Sequence, residues 1–497
     1  MQPGPLLGID IGTASAKGVL VGVDGTVLAR ASRPHPTSRP RPGWFEHDAE
    51  TVWWAGFTTL VRELLTAAGD RRPAGLAVSG IGPVLLPADE DGRPLRPAIL
   101  YGVDTRAGAE IAELTAELGE QSIVERCGSA LSSQAAGPKW RWLHRHEPAV
   151  AARARRFLMA SSYLVQRLTG EYVLDHHSAS QCDPMYDLRA GDWAADWAAL
   201  VAPGVTLPRL AWPSEVAGSV TAEAAVQTGL PVGLPVTCGT VDAWAEAASA
   251  GVREPGDTML MYGSTMFLIR QTAGPRPVPG LWATRGVFPG SHSLAAGMAT
   301  SGAITDWLRE LFGGDFAQLV AEAGKVPAGS RGLLMLPYFA GERTPVPDPA
   351  ARGVLAGLTI GHGRAELYRA ALEGTAYGVR HNLAAMGGPA GRLVAVGGGT
   401  QGRVWTGIVS DVTRTDQQVP TETIGAAFGD ALLAAFAIGL DPDIEAWNPV
   451  AEVVRPDPAR ADTYDEFYTR YRALYPATVD IAHFLAAQQE LAADRER

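Results

Sequence analysis

Asp10 stands inside the apolar run Leu6 to Ile11, directly before Gly12 and Thr13, with Ser15 close behind. An isolated carboxylate in such a run costs several kcal/mol, so it requires a partner. A hydrated Mg²⁺ beside a phosphate is one natural partner; a hydrogen-bonded aspartate in an ordinary hairpin is the other reading. In the first case the backbone N–H groups and hydroxyls of Gly12, Thr13 and Ser15 cradle the terminal phosphates of a nucleotide. A second turn of the same kind, Gly263-Ser264-Thr265, separates two apolar runs in TMLMYGSTMFLIR. Asp242 follows a Gly239-Thr240 turn and opens an alanine-rich helix. It serves there either as a carboxylate favoured by the helix N-terminus or as a general base toward a substrate hydroxyl, a contribution of roughly 10²- to 10⁴-fold. Tyr101, Asp104 and Arg106 end an apolar run. A ring that covers C–H groups beside polar groups that take hydroxyls suits a polyhydroxylated ligand, and a buried Asp104–Arg106 pair is the equal alternative. Gly397, Gly398 and Gly399 precede a helix from Arg403, where backbone can approach an adenosine or phosphate closely. The G-x-G-x-x-G spacing is missing, which excludes a Rossmann reading.

The elements that must position these residues are legible in outline. Leu6 to Ile11, Gly18 to Val23 and Val27 to Arg30 read as a three-strand meander. Asp48 caps a helix over Ala49 to Ala68. Leu76 to Ser79, Val84 to Pro87 and Ala98 to Tyr101 read as another meander, and residues 107 to 200 as mostly helical. From Asp257 a third meander begins, and its likeness to the first suggests two related halves facing one nucleotide. Helices are expected from Ser301 to Leu311 and from about Arg364 to Ala385, with a strand from Leu393 to Val396 between the latter and Arg403.

The chain has 497 residues, enough for two to four domains, and two large ones are expected, 1–250 and 251–497. A net charge of −11 argues against a nucleic-acid partner. Three widely spaced cysteines without C-x-x-C indicate neither disulfides nor zinc and fit a reducing cytoplasm. No uncharged apolar stretch reaches membrane-spanning length and no leader pattern is visible, so neither a membrane nor export is expected.

Taken in order, these pieces resemble the FGGY family of carbohydrate kinases within the actin/hexokinase-like superfamily. The most specific part is Gly353-x-Leu355-x-Gly357-Leu358, seven residues, then Glu366-Leu367-x-x-Ala370-Ala371-Leu372-Glu373. LPYFAGERTP at 336–345 is similarly characteristic, while GPKWRWLHRHEP keeps Lys139, Trp142 and Leu143 of a further signature with Ala136 where Pro, Ser or Thr is usual. The resemblance implies an α/β fold of two ribonuclease H-like domains with an ATP and sugar cleft between them. It implies ATP and Mg²⁺ as cofactors, with Asp10 serving the metal and the Gly12-Thr13 and Gly263-Ser264-Thr265 turns holding phosphates. Gly302 and Gly397 to Gly399 then fall near adenosine, Asp242 is the catalytic base, and Ile81, Gly82, Pro83, Tyr101, Asp104 and Arg106 lie on the sugar side. A small-molecule sugar is the implied partner, and homodimers are common among relatives. Xylulokinase-like relatives carry Gln-Met-His where this chain has Ile81-Gly82-Pro83, and glycerol kinases carry Arg-Glu in that region. The overall pattern is nearest xylulokinase, with an altered sugar pocket; a ketopentose is the expected acceptor and another polyol or ketose the alternative. A nucleotide-binding regulatory protein is the competing class.

Overall fold

The computed structural model describes residues 4–495. It holds two seven-stranded mixed sheets. The first contains β1 (Leu6–Ile11), β2 (Ser15–Val21), β3 (Val27–Pro34), β4 (Gly75–Gly80), β5 (Val216–Ser219), β6 (Pro235–Thr237) and β7 (Thr240–Val241). Their order is β5-β6-β4-β1-β2-β3, with β7 also pairing β4. The second contains β8 (Thr258–Tyr262), β9 (Met266–Thr272), β10 (Trp282–Arg285), β11 (His292–Met298), β12 (Leu393–Val396), β13 (Gln417–Pro420) and β14 (Val450–Val454). Its order is β10-β11-β9-β8-β12-β13-β14. In each sheet a hairpin strand, β1 or β8, pairs antiparallel with its successor and parallel with a strand much later in the chain. The likeness of the two meanders therefore reflects a common strand plan, and the architecture is the expected two-part α/β fold.

Helices α1 (Ala55–Ala68), α2 (Ala136–His146), α3 (Asp242–Ser249), α4 (Gly302–Phe312), α5 (Arg364–Ala385), α6 (Arg403–Thr413), α7 (Ala426–Ala437) and α8 (Ala461–Arg495) carry the rest of the argument. A short π-helical turn, Ala49–Trp54, precedes α1, and Asp48 caps it by accepting from Glu50 and Thr51 N–H groups. Both α3 and α7 belong to an apolar cluster that draws Leu6, Val19 and Ala77 from the first sheet and Met259, Ile269 and Val394 from the second. Helix α7 therefore packs on the first sheet although it follows strands of the second. Its contact with α3 is so close that a Cβ on Gly429 would lie 1.8 Å from the Ala245 carbonyl oxygen; only glycine fits there.

One expected meander forms only in part: Leu85 and Ile99 exchange both backbone hydrogen bonds, each at 2.9 Å, as its second hairpin requires. Residues 86–88 pair with 156–158, and 98–99 pair with Glu46 and His47, while β4 joins the central sheet. Prolines at 83, 87, 94 and 97 remove ladder donors from this stretch, which limits the expected hairpin to the Leu85–Ile99 pair and leaves its strands to pair with other edges.

The end of the most specific motif is structural. Glu373 on α5 is buried, and its Oε1 accepts hydrogen bonds from Arg369 Nε at 2.8 Å, Tyr464 hydroxyl at 3.0 Å and Gly329 N–H at 3.1 Å. Oε2 accepts from the Ser330 hydroxyl at 2.7 Å. This network ties α5 to α8 and to the loop before Leu333. Glu373→Ala leaves the Arg369 guanidinium buried without its counter-charge and is expected to lower unfolding free energy by about 3–5 kcal/mol. Urea denaturation checks this: the double variant Arg369→Leu, Glu373→Leu should lose less than the single one, and a larger loss would refute the ion-pair account.

Candidate active site

Strand β1 is central and paired on both sides, so its residues are buried, and Asp10 is buried with them at 6 % exposure. Asp10 lies directly across the hairpin from Lys17. Its Oδ1 accepts from the Ser79 hydroxyl at 3.3 Å, and the same hydroxyl lies 2.6 Å from Asp430 Oδ2 on α7. A serine has one hydroxyl hydrogen, so the two carboxyls compete for it, and Asp430 holds it at the shorter distance. Burial pushes Asp430 well above the usual carboxylate range.

Two cavities meet beside this strand. One, of about 350 Å³, is lined by Asp10, Gly12, Thr13, Ser15, Lys17, Glu246, Gly263, Gly397 and Gly398. The other, of about 330 Å³, is lined by Gly82, Tyr101, Thr265 and a polar wall from residues 129–135 and 180–183, facing Trp244, Phe267 and Trp282. Thr13, Asp242, Ala243 and Met261 line both. Asp242 is the first residue of α3, and its Oδ1 accepts from the Ala243 N–H at 2.7 Å. The Thr13 hydroxyl bonds the Tyr101 hydroxyl at 2.9 Å, so the phosphate turn and the second cavity are joined directly.

The electrostatics are those of crowded carboxyls. Burial pushes Asp10 up to about 6, with Lys17 and Ser79 opposing the shift. Burial, then the Asp10 charge, hold Asp242 well above its usual range and push Glu246 to about 7. Among the described residues no group of three or more His, Cys, Asp or Glu side chains is arranged to hold a metal ion. The donor set instead fits a hydrated Mg²⁺, which takes one or two carboxylates and completes its shell with phosphate oxygens and water. A cation beside Asp10 favours the ionised form that burial opposes. Gly397, at φ +90°, has its Cβ position 2.5 Å from the Tyr262 carbonyl, and Gly398 opens onto the cavity, which suits a nucleotide.

Of the residues expected at the site, Asp10, Gly12, Thr13, Ser15, Gly263, Gly397, Gly398 and Asp242 come together. Thr265 faces the second cavity with Gly82 and Tyr101. Gly302 donates to the Gly263 carbonyl and Gly399 packs on Tyr262 and Trp405, so both shape the cradle from behind. Ser264 is solvent-exposed beside the turn. Ile81 and Pro83 are buried beside the second cavity without lining it. Asp104 and Arg106 do not face either of these cavities, because they satisfy each other: Arg106 Nη2 and Nε reach the carboxyl at 2.7 and 2.9 Å, Nη1 binds Glu46 at 2.8 Å, and Trp44 and Trp142 flank the guanidinium. The buried pair is what the structure holds, and it anchors the strand end that presents Tyr101.

Sequence reading missed Lys17, Glu246 and Asp430; Ser178 to Pro184 reads as polar and small residues able to reach a site, though no spacing says so, and Ser180, Gln181 and Asp183 do line the second cavity. Asp430 was findable, since AAFGDALLAAFA places a carboxyl in an apolar helix as LLGIDI does in a strand. Glu246 lies four residues after Asp242, on the same helix face. Nothing local distinguishes Asp183.

Two α/β halves, a carboxylate-bearing hairpin and a cleft with adjoining cavities define a phosphoryl-transfer fold of the actin/hexokinase type. The chain belongs to the FGGY family of carbohydrate kinases: the family's N-terminal domain model matches residues 6–248 and its C-terminal domain model residues 258–438. It is a carbohydrate kinase. The crystal structure of xylulose kinase from Rhodospirillum rubrum superposes with a TM-score of 0.90 at 38 % identity, covering 96 % of this chain and 100 % of that one. Xylulose kinase of Escherichia coli (strain K12) is 29 % identical over 94 % of this chain and 98 % of its own. Gluconokinase of Bacillus subtilis (strain 168) is 26 % identical over 99 % of this chain and 98 % of its own. None of the described helices is long and apolar enough to cross a membrane.

The carboxyl cluster has a measurable signature. A carboxyl whose folded pKa is raised holds a proton that the unfolded chain has already lost, so its stability is complete below the ordinary carboxyl range and drains as pH rises toward the folded value. Asp430→Asn removes that drain. Relative to wild type it should gain up to about 1.4 kcal/mol for each pH unit above the usual aspartate value, so thermal unfolding at pH 7.5 should favour the variant far more than at pH 4.5. A pH-independent difference would show that Asp430 is ionised in the folded protein.

Proposed function

We propose that the chain transfers the terminal phosphoryl group of Mg-ATP to a terminal hydroxyl of a ketopentose such as xylulose. The observation that carries this reading is the position of Asp242, a carboxylate shared by the cavity that fits phosphates and the cavity with a polar wall opposite aromatic rings. The 38 % identity to the Rhodospirillum rubrum xylulose kinase structure supports the acceptor class.

In this reading residues 1–250 present the acceptor and the base, and residues 251–497 hold most of the nucleotide. Thr13 and Ser15 offer backbone N–H groups and hydroxyls to the phosphates, the N–H groups of Gly12 and Gly263 instead close their own turns on the Ser15 and Thr265 carbonyls, Gly397 and Gly398 admit the adenosine, and Asp10 would hold Mg²⁺. Bound Mg²⁺ neutralises charge on the phosphate oxygens, and the loose bonding of phosphoryl transfer leaves most of the acceleration to positioning. Tyr101 and Gly82 border the acceptor, and Asp242 takes the proton from its reacting hydroxyl. Asp242 acts as base in its ionised form, which burial opposes and a cation held beside it would favour. The replacement of the relatives' Gln-Met-His by Ile81-Gly82-Pro83 favours one second reading, a ketose or polyol of different shape.

Release of ADP from Mg-ATP across ketoses, aldoses, aldonates and polyols tests the proposal. One neutral sugar should stimulate turnover strongly, and Asp242→Asn should lower kcat by roughly 10²- to 10⁴-fold with little change in KM. A variant that matches wild type, with no sugar stimulating either, would leave only nucleotide binding. The acid limb of kcat/KM should lie above the ordinary carboxylate range, since activity requires ionised Asp242. Glu246→Gln removes a like charge acting on Asp242 and should move that limb to lower pH.

A further inference from the structure

The acceptor cavity contains a carboxyl that the transfer reaction does not use. Asp183 is 6 % exposed and lines the cavity, and its Oδ1 has no hydrogen-bond partner. Among the described residues only the thiol of Cys127, a weak donor, comes near enough to ease its ionisation. Its main chain is pinned, because the Asp183 carbonyl accepts the Gly137 N–H at 3.0 Å at the start of α2. Beside it, Gln181 Oε1 and Thr284 Oγ1 are also buried without partners. Buried polar atoms without partners are costly, and their presence around one cavity points to a ligand that completes them.

The cavity has two distinguishable ends. Asp242 and Thr13 line both cavities, whereas Asp183 lines only the acceptor cavity. The guanidinium of Arg343 acts on Tyr101, which is bonded to Thr13 of the phosphate turn, and one of its nitrogens is held by the Met298 carbonyl at 2.8 Å. The cation thus lies between Tyr101 and the Trp282 ring, and among the described residues no cation acts on Asp183.

We propose that Asp183 reads the end of the acceptor remote from the reacting hydroxyl, exchanging hydrogen bonds with sugar hydroxyls there and rejecting acceptors whose remote end is a carboxylate. This rests on the kinase reading above and narrows its substrate class to neutral ketoses and polyols. A carboxylate placed against Asp183 would put two like charges in a space without a nearby cation, or force them to share one proton, either of which is costly. A hydroxyl does neither. The buried, unpartnered Oδ1 of Asp183 is an acceptor that a sugar hydroxyl satisfies by donating to it. The stacked Phe267 and Trp282 rings, 6.1 Å apart, cover the opposite face, where C–H groups of the acceptor find apolar contact.

The test measures acceptor binding without nucleotide, by calorimetry and by quenching of Trp244 and Trp282, with D-xylulose, D-ribulose and D-gluconate as probes. Wild type should bind a neutral ketose and discriminate against gluconate by about 100-fold or more, as close like charges in a desolvated site require. Asp183→Asn should weaken ketose binding about 10- to 100-fold, the range for a hydrogen bond to a charged or strongly polar group, and shrink the discrimination against gluconate. Asp183→Ser, a smaller hydroxyl side chain, should do the same if the Asn variant folds poorly. Wild type that binds gluconate as well as ketoses overturns the inference without recourse to a variant. Folded Asp183 variants that keep wild-type affinities overturn it too, while sugar-stimulated ADP release by the same enzyme would leave the kinase reading standing. Absence of stimulated turnover with any sugar would instead remove the kinase reading, and this inference with it.

Discussion

A carboxyl group in an interior strand of an open mixed sheet is the constraint on which the rest of the molecule depends. Asp10 cannot be hydrated by bulk water once β2 and β4 pair with β1, so its environment has to be built from protein. Lys17 supplies charge from across the hairpin, Ser79 supplies a hydrogen, and Asp430 holds the serine from the far side. The fold then adds Asp242 and Glu246 at the same cleft. Hydrophobic folding alone does not favour this density of acids; a ligand that brings positive charge and phosphate does.

The two halves meet through small residues. Ala245 and Gly429 bring α3 and α7 into backbone contact, and both helices sit in one apolar cluster with strands from each sheet. The same helix α3 carries Asp242 at its first turn and Glu246 one turn on. The element that joins the halves is therefore also the element that presents Asp242 to both cavities, and the position of the carboxyl follows the packing of the joint.

Much of this was legible in the sequence, for physical reasons that differ between regions. The bounds of β1, of α5 at Arg364–Ala385 and of β12 at Leu393–Val396 follow from unbroken apolar patterns between strong turn signals. Asp10 and Asp242 stand out because a carboxylate amid apolar neighbours needs an explanation. Asp104 and Arg106 looked equally chemical, yet their partners are each other and Glu46, and nothing in their spacing reveals that the tryptophans at 44 and 142 enclose them. The prolines between 83 and 97 were visible, but their effect on strand pairing depended on distant edges at 46–47 and 156–158. The polar residues at 178–184 were visible, but no spacing marks them, since they acquire meaning only when α2, β10 and α3 converge on one cavity.

Thr13 belongs to both cavities, with its hydroxyl on Tyr101 and its carbonyl on Thr37. An occupant of either space that draws on this one residue changes what the other space offers, so the two binding equilibria share a coupling free energy. Such a term is reciprocal: the factor by which acceptor alters nucleotide affinity equals the factor by which nucleotide alters acceptor affinity. Order of addition therefore has no thermodynamic meaning in this enzyme, and any preferred sequence of binding is a matter of rates alone.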